Sequence, residues 1–253
     1  MKILPHDIFQ TNIATFDISD EPVFHYLLEL NKRMPDEISE EENITNSLGN
    51  TSSYGSLQRN IKMYEKATWN AYEDEEWICV RKEVLKFLNG LGKLFIEMHH
   101  NTGIANWIKN RKFGITNLWM VRYKEGDYQS WHTHPQSSLS AVLFLEVPEG
   151  INPKTFPDGI LHLLSNGNYD EQTLEINKSY FVKPEPGLLI IFPSSIGHLA
   201  YPFKGPGRRT VISFNYDDDK IMNNASLDKK TGKYLLSGPN DTVYELTEYL
   251  DDK

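Results

Sequence analysis

The chain has 253 residues, a formal net charge of −9, five Trp, thirteen Tyr and twelve Phe. That length suits one β-barrel or sandwich with helical support, and the aromatic content belongs to a folded chain. The acidic balance argues against nucleic acid as a partner, because phosphate binding needs clustered Lys and Arg, and Cys79, the single cysteine, excludes an internal disulfide or a cysteine-based zinc site.

The N-terminal MKILPHDIFQ lacks the apolar core of a signal peptide, and no apolar run reaches membrane-spanning length. A cytoplasmic, reducing location without a membrane partner is expected. Residues 7–17 alternate as a strand would. Asp20 then acts as an N-cap ahead of Pro22, and Val23, Tyr26, Leu27, Leu30 and Met34 follow at helical spacing. Residues 35–62 are polar and read as a loop. A long support helix is expected from about Glu73 to His100, with Trp77, Val84, Leu88, Leu91 and Phe95 in its apolar stripe. Cys79 fits this segment as a small buried hydrophobe.

From Gly114 the pattern changes to short β-rich runs at 115–123, 139–147, 160–164, 187–192 and 208–216, separated by Gly, Pro and Asn turns. Such spacing predicts a mainly β sandwich or barrel. Residues 241–251 have the pattern of a short amphipathic helix, a candidate surface for packing back or for homodimer formation. The expected organisation is one domain: support elements over 1–113, a β core over 114–217 and a C-terminal extension over 218–253.

Three features carry chemistry. In Trp131-His132-Thr133-His134-Pro135, side chains two apart in an extended chain point the same way, so His132 and His134 can converge on a metal. The run Gly187 to His198 is an apolar strand, a turn and a single His, and that third imidazole gains meaning beside the first pair. In Arg208-Arg209-Thr-Val-Ile-Ser-Phe-Asn, alternation places Arg209, Val211, Ser213 and Asn215 on one face, where a guanidinium can grip a carboxylate through two parallel hydrogen bonds. His162 lies in an apolar run and reads as a core or rim histidine.

Together these residues resemble the 2-oxoglutarate- and iron(II)-dependent oxygenases, in particular the prolyl-4-hydroxylase-like branch. Tyr123-Lys-Glu-Gly126 followed six residues later by His132, with distal His198 and Arg209, matches that branch. His132-Thr-His134-Pro135, Leu139-Ser140-Ala-Val142, Phe192-Pro193-Ser194 and Ser213-Phe214-Asn215 look like a bacterial and phage subfamily. The resemblance implies a double-stranded β-helix (jelly roll). It also implies an iron(II) held by His132, His134 and His198, and 2-oxoglutarate and dioxygen as co-substrates. Arg209 would hold the far carboxylate, with Tyr123, Ser140, Asn117, Ser213 and Asn215 near the co-substrate and Trp119 and Trp131 lining the pocket. The substrate, small-molecule or peptidyl, is not encoded in any motif. The chain departs from the wider superfamily at His134, where a carboxylate is expected, and at Phe144, where some prolyl hydroxylases have Tyr. A cupin-type dioxygenase without 2-oxoglutarate would also use the two histidine motifs but gives Arg209 no partner; a non-catalytic ligand-binding barrel, its metal structural or absent, is the other alternative.

Overall fold

The structure is a computed structural model. It describes residues 2–8, 11–33, 53–54, 57–60, 82–98, 113–134, 137–149, 151, 157–164, 179–218, 225–228, 233–237 and 243–246. The chain divides into two compact units, one of residues 1–60 and 118–215 and one of residues 61–117 and 216–253.

The first unit is built on two antiparallel sheets. The strands of these sheets are β1 (Lys2–Ile8), β2 (Thr11–Asp17), β3 (Ser53–Tyr54), β4 (Leu57–Asn60), β5 (Phe113–Tyr123), β6 (Tyr128–His132), β7 (Leu139–Glu146), β8 (Leu161–Leu164), β9 (Ser179–Val182), β10 (Leu188–Pro193), β11 (Gly197–Ala200) and β12 (Arg209–Asp218), with residues 113–117 and 216–218 counted in the second unit. The larger sheet runs β1-β2-β10-β7-β12-β5-β4 and the smaller β3-β6-β11-β8-β9. The eight strands from β5 to β12 alternate between sheets except at the β8–β9 pair, so that β10-β7-β12-β5 lie in one and β6-β11-β8-β9 in the other. That winding is the expected double-stranded β-helix.

Alternation along the strands sets the core. Val142 and Phe144 of β7, Ile190 and Phe192 of β10, and Val121 and Tyr123 of β5 join Leu161 and Leu163 of β8 and Val182 of β9 in one buried cluster. The intervening Leu143, Leu145, Leu189 and Ile191 are buried as well. Helix α1 (Pro22–Arg33) packs against β7. Burial on both faces explains why these strands read as continuous apolar runs. Gly187 makes the turn into β10: its φ is 84°, and a Cβ there would lie 2.6 Å from the Cα of Ser19. Only glycine meets both conditions without strain.

Several expectations change in detail. The strand expected over 7–17 is a hairpin, β1 pairing with β2 from Lys2↔Asp17 to Ile8↔Thr11. Helix α1 starts at Pro22, so Glu21 rather than Asp20 precedes it, its carbonyl accepting from the amides of Phe24 at 2.9 Å and His25 at 3.4 Å. The buried face of α1 is Phe24, Leu27, Leu30 and Asn31, turned toward Phe24 from the expected stripe. Part of the loop expected at 35–62 is strand: β3 pairs with β6 and β4 with β5. These pairings are made by backbone groups, which polar composition does not report.

In the second unit, helix α2 (Lys82–Met98) occupies part of the support helix expected over 73–100. Val84, Leu88, Leu91 and Phe95 are buried as the stripe requires, while Trp77 and Cys79 lie outside the described residues. Asn89 Oδ1 accepts the Ile115 amide at 2.8 Å, and the Tyr216 hydroxyl donates to the Leu88 carbonyl at 2.7 Å. The amphipathic helix expected at 241–251 is not formed where the chain is described. Instead β13 (Ala225–Asp228), β14 (Lys233–Ser237) and β15 (Val243–Leu246) make an antiparallel sheet. Val243-Tyr-Glu-Leu246 is β-branched and aromatic at its start, and cross-strand pairing with β14 outweighs a weak helical period. No described helix is long and apolar enough to cross a membrane.

Candidate active site

His132 ends β6, His134 follows two residues later, and His198 sits on β11, where it pairs directly with His132. The pairing register between β11 and β6 then shifts, with Ala200 opposite Gln129. Two steps on β11 thus face three on β6. A bulge of this kind re-aims side chains, and here both Gln129 and His132 reach the same cavity. Trp131 points away: it is 50% exposed, and its indole lies over Gly197. The expectation that Trp131 lines the pocket is therefore corrected by the strand alternation that brings His132 inward. Trp119 does line the cavity, with its ring centroid 5.7 Å from that of His134.

The three imidazoles converge. Ring centroids are 4.1 Å apart for His132 and His198 and 5.1 Å for each of the other pairs, and one nitrogen from each ring lies within 4.8 Å of the others. No carboxylate joins this group among the described residues. His132 Nδ1 lies 2.9 Å from the Ser130 carbonyl and His198 Nδ1 3.2 Å from the Ile196 carbonyl. Each such contact places a proton on Nδ1 and leaves Nε2 as a lone-pair donor, the tautomer a metal ligand needs. Burial pushes all three histidines below their usual range, His134 to about 4, with the charge of neighbouring histidines acting in the same direction on His134 and His198. The rings are thus held neutral at physiological pH, which suits divalent transition metals.

A chain of polar groups leads away from His134. Asn215 Nδ2 is 3.5 Å from His134 Nδ1, Asn215 Oδ1 accepts from Ser140 Oγ at 2.9 Å, and Ser140 Oγ lies 2.8 Å from Ser194 Oγ. The His134 amide also donates to the Ser194 carbonyl at 3.0 Å. Ser194 is completely buried. Its position in the Phe-Pro-Ser segment is the only sequence signal for its place beside the histidines.

Arg209 lies at the start of β12, 1% exposed. One end is anchored: Nη1 donates to the carbonyls of Gly159 and of Tyr201, the latter at 3.1 Å. Its Nε and Nη2 are buried without a hydrogen-bond partner among the described residues. These two nitrogens form one edge of the guanidinium, and a carboxylate can meet them side by side. The guanidinium also stacks on Tyr123, 4.3 Å from the ring centroid. Burial pushes the Tyr123 phenol up to about 12 against the opposing pull of Arg209, so it stays a neutral donor, giving its proton to Gln129 Oε1 at 3.0 Å. Gln129 Nε2 in turn lies 3.2 Å from His132 Nε2. Gln129 thereby links the tyrosine beneath Arg209 to the histidine cluster. Sequence reasoning did not single it out, because an i, i+3 pair on one face does not fit a regular strand.

The cavity encloses about 530 Å³ including its open mouth. Arg209, Val211, Ser213 and Asn215 all line it, as alternation along β12 predicts, together with Tyr123 and Ser140. Asn117 is not part of the lining: it is exposed, and its Oδ1 accepts from Thr116 Oγ1 at 3.3 Å. That expectation is corrected. Phe144 lines the cavity. His162 lies elsewhere, buried on β8 between the rings of Phe181 at 4.2 Å and Tyr201 at 5.9 Å, a core histidine as expected.

Residues 117–215 match the sequence profile of a family described as "Putative 2OG-Fe(II) oxygenase". No curated protein matches the chain. Solved structures similar to it include a prolyl-4-hydroxylase from Pseudomonas putida, at 16% identity and a TM-score of 0.48 over 83% of this chain and 95% of that one. A 2OG-Fe(II) oxygenase family oxidoreductase from Burkholderia pseudomallei aligns at 15% identity and a TM-score of 0.45, covering 76% and 78% of the two chains. A viral collagen prolyl hydroxylase from Paramecium Bursaria Chlorella virus-1, solved with 2OG, aligns at 14% identity and 0.45, covering 81% and 94%. The family match spans β-helix strands that carry three converging imidazoles and a buried guanidinium with an open edge. Over residues 117–215, the stretch that carries the three imidazoles and Arg209, the chain is thus similar to the 2OG-Fe(II) oxygenases, oxidoreductases that work with iron(II), 2-oxoglutarate and dioxygen.

Proposed function

We propose that this chain hydroxylates an organic substrate at an unactivated carbon, consuming 2-oxoglutarate and dioxygen and releasing succinate and carbon dioxide. One oxygen atom enters the substrate as hydroxyl and the other enters succinate. His132, His134 and His198 are the metal ligands in this reading, and Arg209 holds the far carboxylate of 2-oxoglutarate on its Nε–Nη2 edge. The observation that carries it is the pairing, in one cavity, of three imidazole donors within 4.8 Å of one another with an unpartnered buried guanidinium edge.

The residues divide the work. When bound, the iron supplies activation of dioxygen and 2-oxoglutarate the two electrons that accompany it. Tyr123 supports Arg209 by stacking, and the Gly159 and Tyr201 carbonyls fix its rotamer, so the fork is organised before the co-substrate arrives. Ser140 and Asn215 orient His134. Val142, Phe144 and Phe192 supply apolar walls that keep water from the reacting centre. An alternative without 2-oxoglutarate leaves two buried donors of Arg209 unanswered, at a cost of about 1–3 kcal/mol each.

The test is succinate formation and oxygen uptake by the full chain supplied with iron(II) and 2-oxoglutarate. Slow uncoupled turnover is expected even without primary substrate, and His198→Ala should abolish it. Succinate formation that persists in His198→Ala would remove these histidines from the reaction.

A further inference from the structure

The proposed ligand set leaves a charge that no described residue lining the cavity cancels. Imidazoles bind metal as neutral donors. Three of them leave a divalent ion with both of its charges, where two histidines and one carboxylate would remove one. 2-Oxoglutarate brings two negative charges. One falls at the chelating end, and the other at the far carboxylate, which Arg209 answers. The metal face therefore keeps one positive charge after the co-substrate is in place.

No side chain among the described residues of the lining offsets it. The polar groups lining the cavity beside the histidines and Arg209 include Gln129, Ser140, Ser213 and Asn215, all neutral. Among the described residues no Asp or Glu lines it. Asp127 and Asp158 do act electrostatically on Arg209, but both carboxylates are engaged outside the lining, with the backbone amides of Lys124 at 2.7 Å and Lys204 at 3.0 Å. Beyond these neutral polar groups the walls beside the histidines include apolar rings, the Phe192 ring lying 5.0 Å from that of His198. An uncompensated charge is costly in such surroundings.

We infer that the cavity takes, beside 2-oxoglutarate, a second ligand with a single negative charge at the metal face: a carboxylate group of the primary substrate or a free monovalent inorganic anion. This rests on the three-histidine reading above and narrows its substrate class.

The test uses the full chain loaded with cobalt(II), whose visible spectrum reports its ligands, and saturated with 2-oxoglutarate. Azide and a series of monocarboxylates of increasing alkyl length are titrated at constant ionic strength. The variants are His134→Asp and His134→Asn, which have nearly the same shape and differ in charge. Saturable spectral change in the native chain and in His134→Asn, weakened at least tenfold in His134→Asp, is the expected result. Tighter binding with alkyl length assigns the anion to the substrate, and preference for azide assigns it to a free ion. Equal affinity in the two variants, or no saturable change in the native chain, overturns the inference while leaving the metal site standing. Failure of the native chain to bind cobalt(II) overturns the three-histidine reading itself, and the inference with it.

Discussion

At the scale of single residues, Arg209 separates a charge requirement from a shape requirement. Lysine at 209 would keep a cation but could not present two parallel donors while also holding the Gly159 and Tyr201 carbonyls. Arg209→Lys should therefore weaken 2-oxoglutarate binding by about 1.5–3 kcal/mol, on the order of 10- to 100-fold, with metal affinity unchanged. Calorimetric titration of the metal-loaded protein reads both; equal loss of the two affinities would place Arg209 in the fold rather than at the co-substrate. Its neighbour Arg208 faces the other way. Its Nε donates to Glu146 Oε2 at 2.7 Å, an oxygen that also accepts from Asn31 Nδ2 at 3.0 Å and Thr210 Oγ1 at 3.1 Å. Burial pushes the Glu146 carboxyl up, but these donors outweigh it and hold the group below its usual range. A carboxylate with a lowered folded-state pKa contributes stability above its unfolded range, and that stability is lost as pH falls through the folded value. Glu146→Gln should cost about 1–2 kcal/mol at pH 7, discounted for partial exposure. The difference from the native chain should shrink below roughly pH 4.5. Urea denaturation across pH measures it, and a constant difference would show that the charge is irrelevant.

At the scale of elements, what the sequence disclosed depended on which face of each element is buried. β7 and β10 are apolar on both faces, and β5 and β12 are long, so their runs stand out. β6, β9 and β11 are only four or five residues long, the first two partly exposed, and none was expected as a separate strand. Three of the four small-sheet strands of the β-helix were thus hidden, although two of them carry the histidines. The bulge in β6 hid Gln129 for the same reason: side-chain alternation fails where the ladder slips. Helix α2 shows the reverse case. Glycine lowers helix propensity, yet at Gly92 a Cβ would lie 2.5 Å from the Tyr216 ring, which is completely buried and tethered to Leu88. Alanine normally stabilises a helix by up to ~1 kcal/mol relative to glycine. Here overpacking should win, and Gly92→Ala should destabilise by about 1–3 kcal/mol in chemical denaturation. A gain in stability would mean that Tyr216 yields.

At the scale of the whole molecule, the winding of eight strands brings together residues spread from Tyr123 to Asn215. Composition could not show this, because an acidic chain of net charge −9 hides one buried arginine. The spacing of His132 and His134, and the placing of Arg209 eleven residues beyond His198, pointed to the site because period-two alternation survives at those positions. The polar groups behind His134 were less legible: Ser194 and Asn215 become neighbours only through sheet pairing. The central claim is that His132, His134 and His198 form one metal centre. It is tested most directly by an anomalous-difference map from crystals grown with manganese(II) and 2-oxoglutarate. One peak bonded to a nitrogen of each of the three imidazoles is predicted. A peak bonded to two of them with His134 turned away, or no peak there at all, would contradict it.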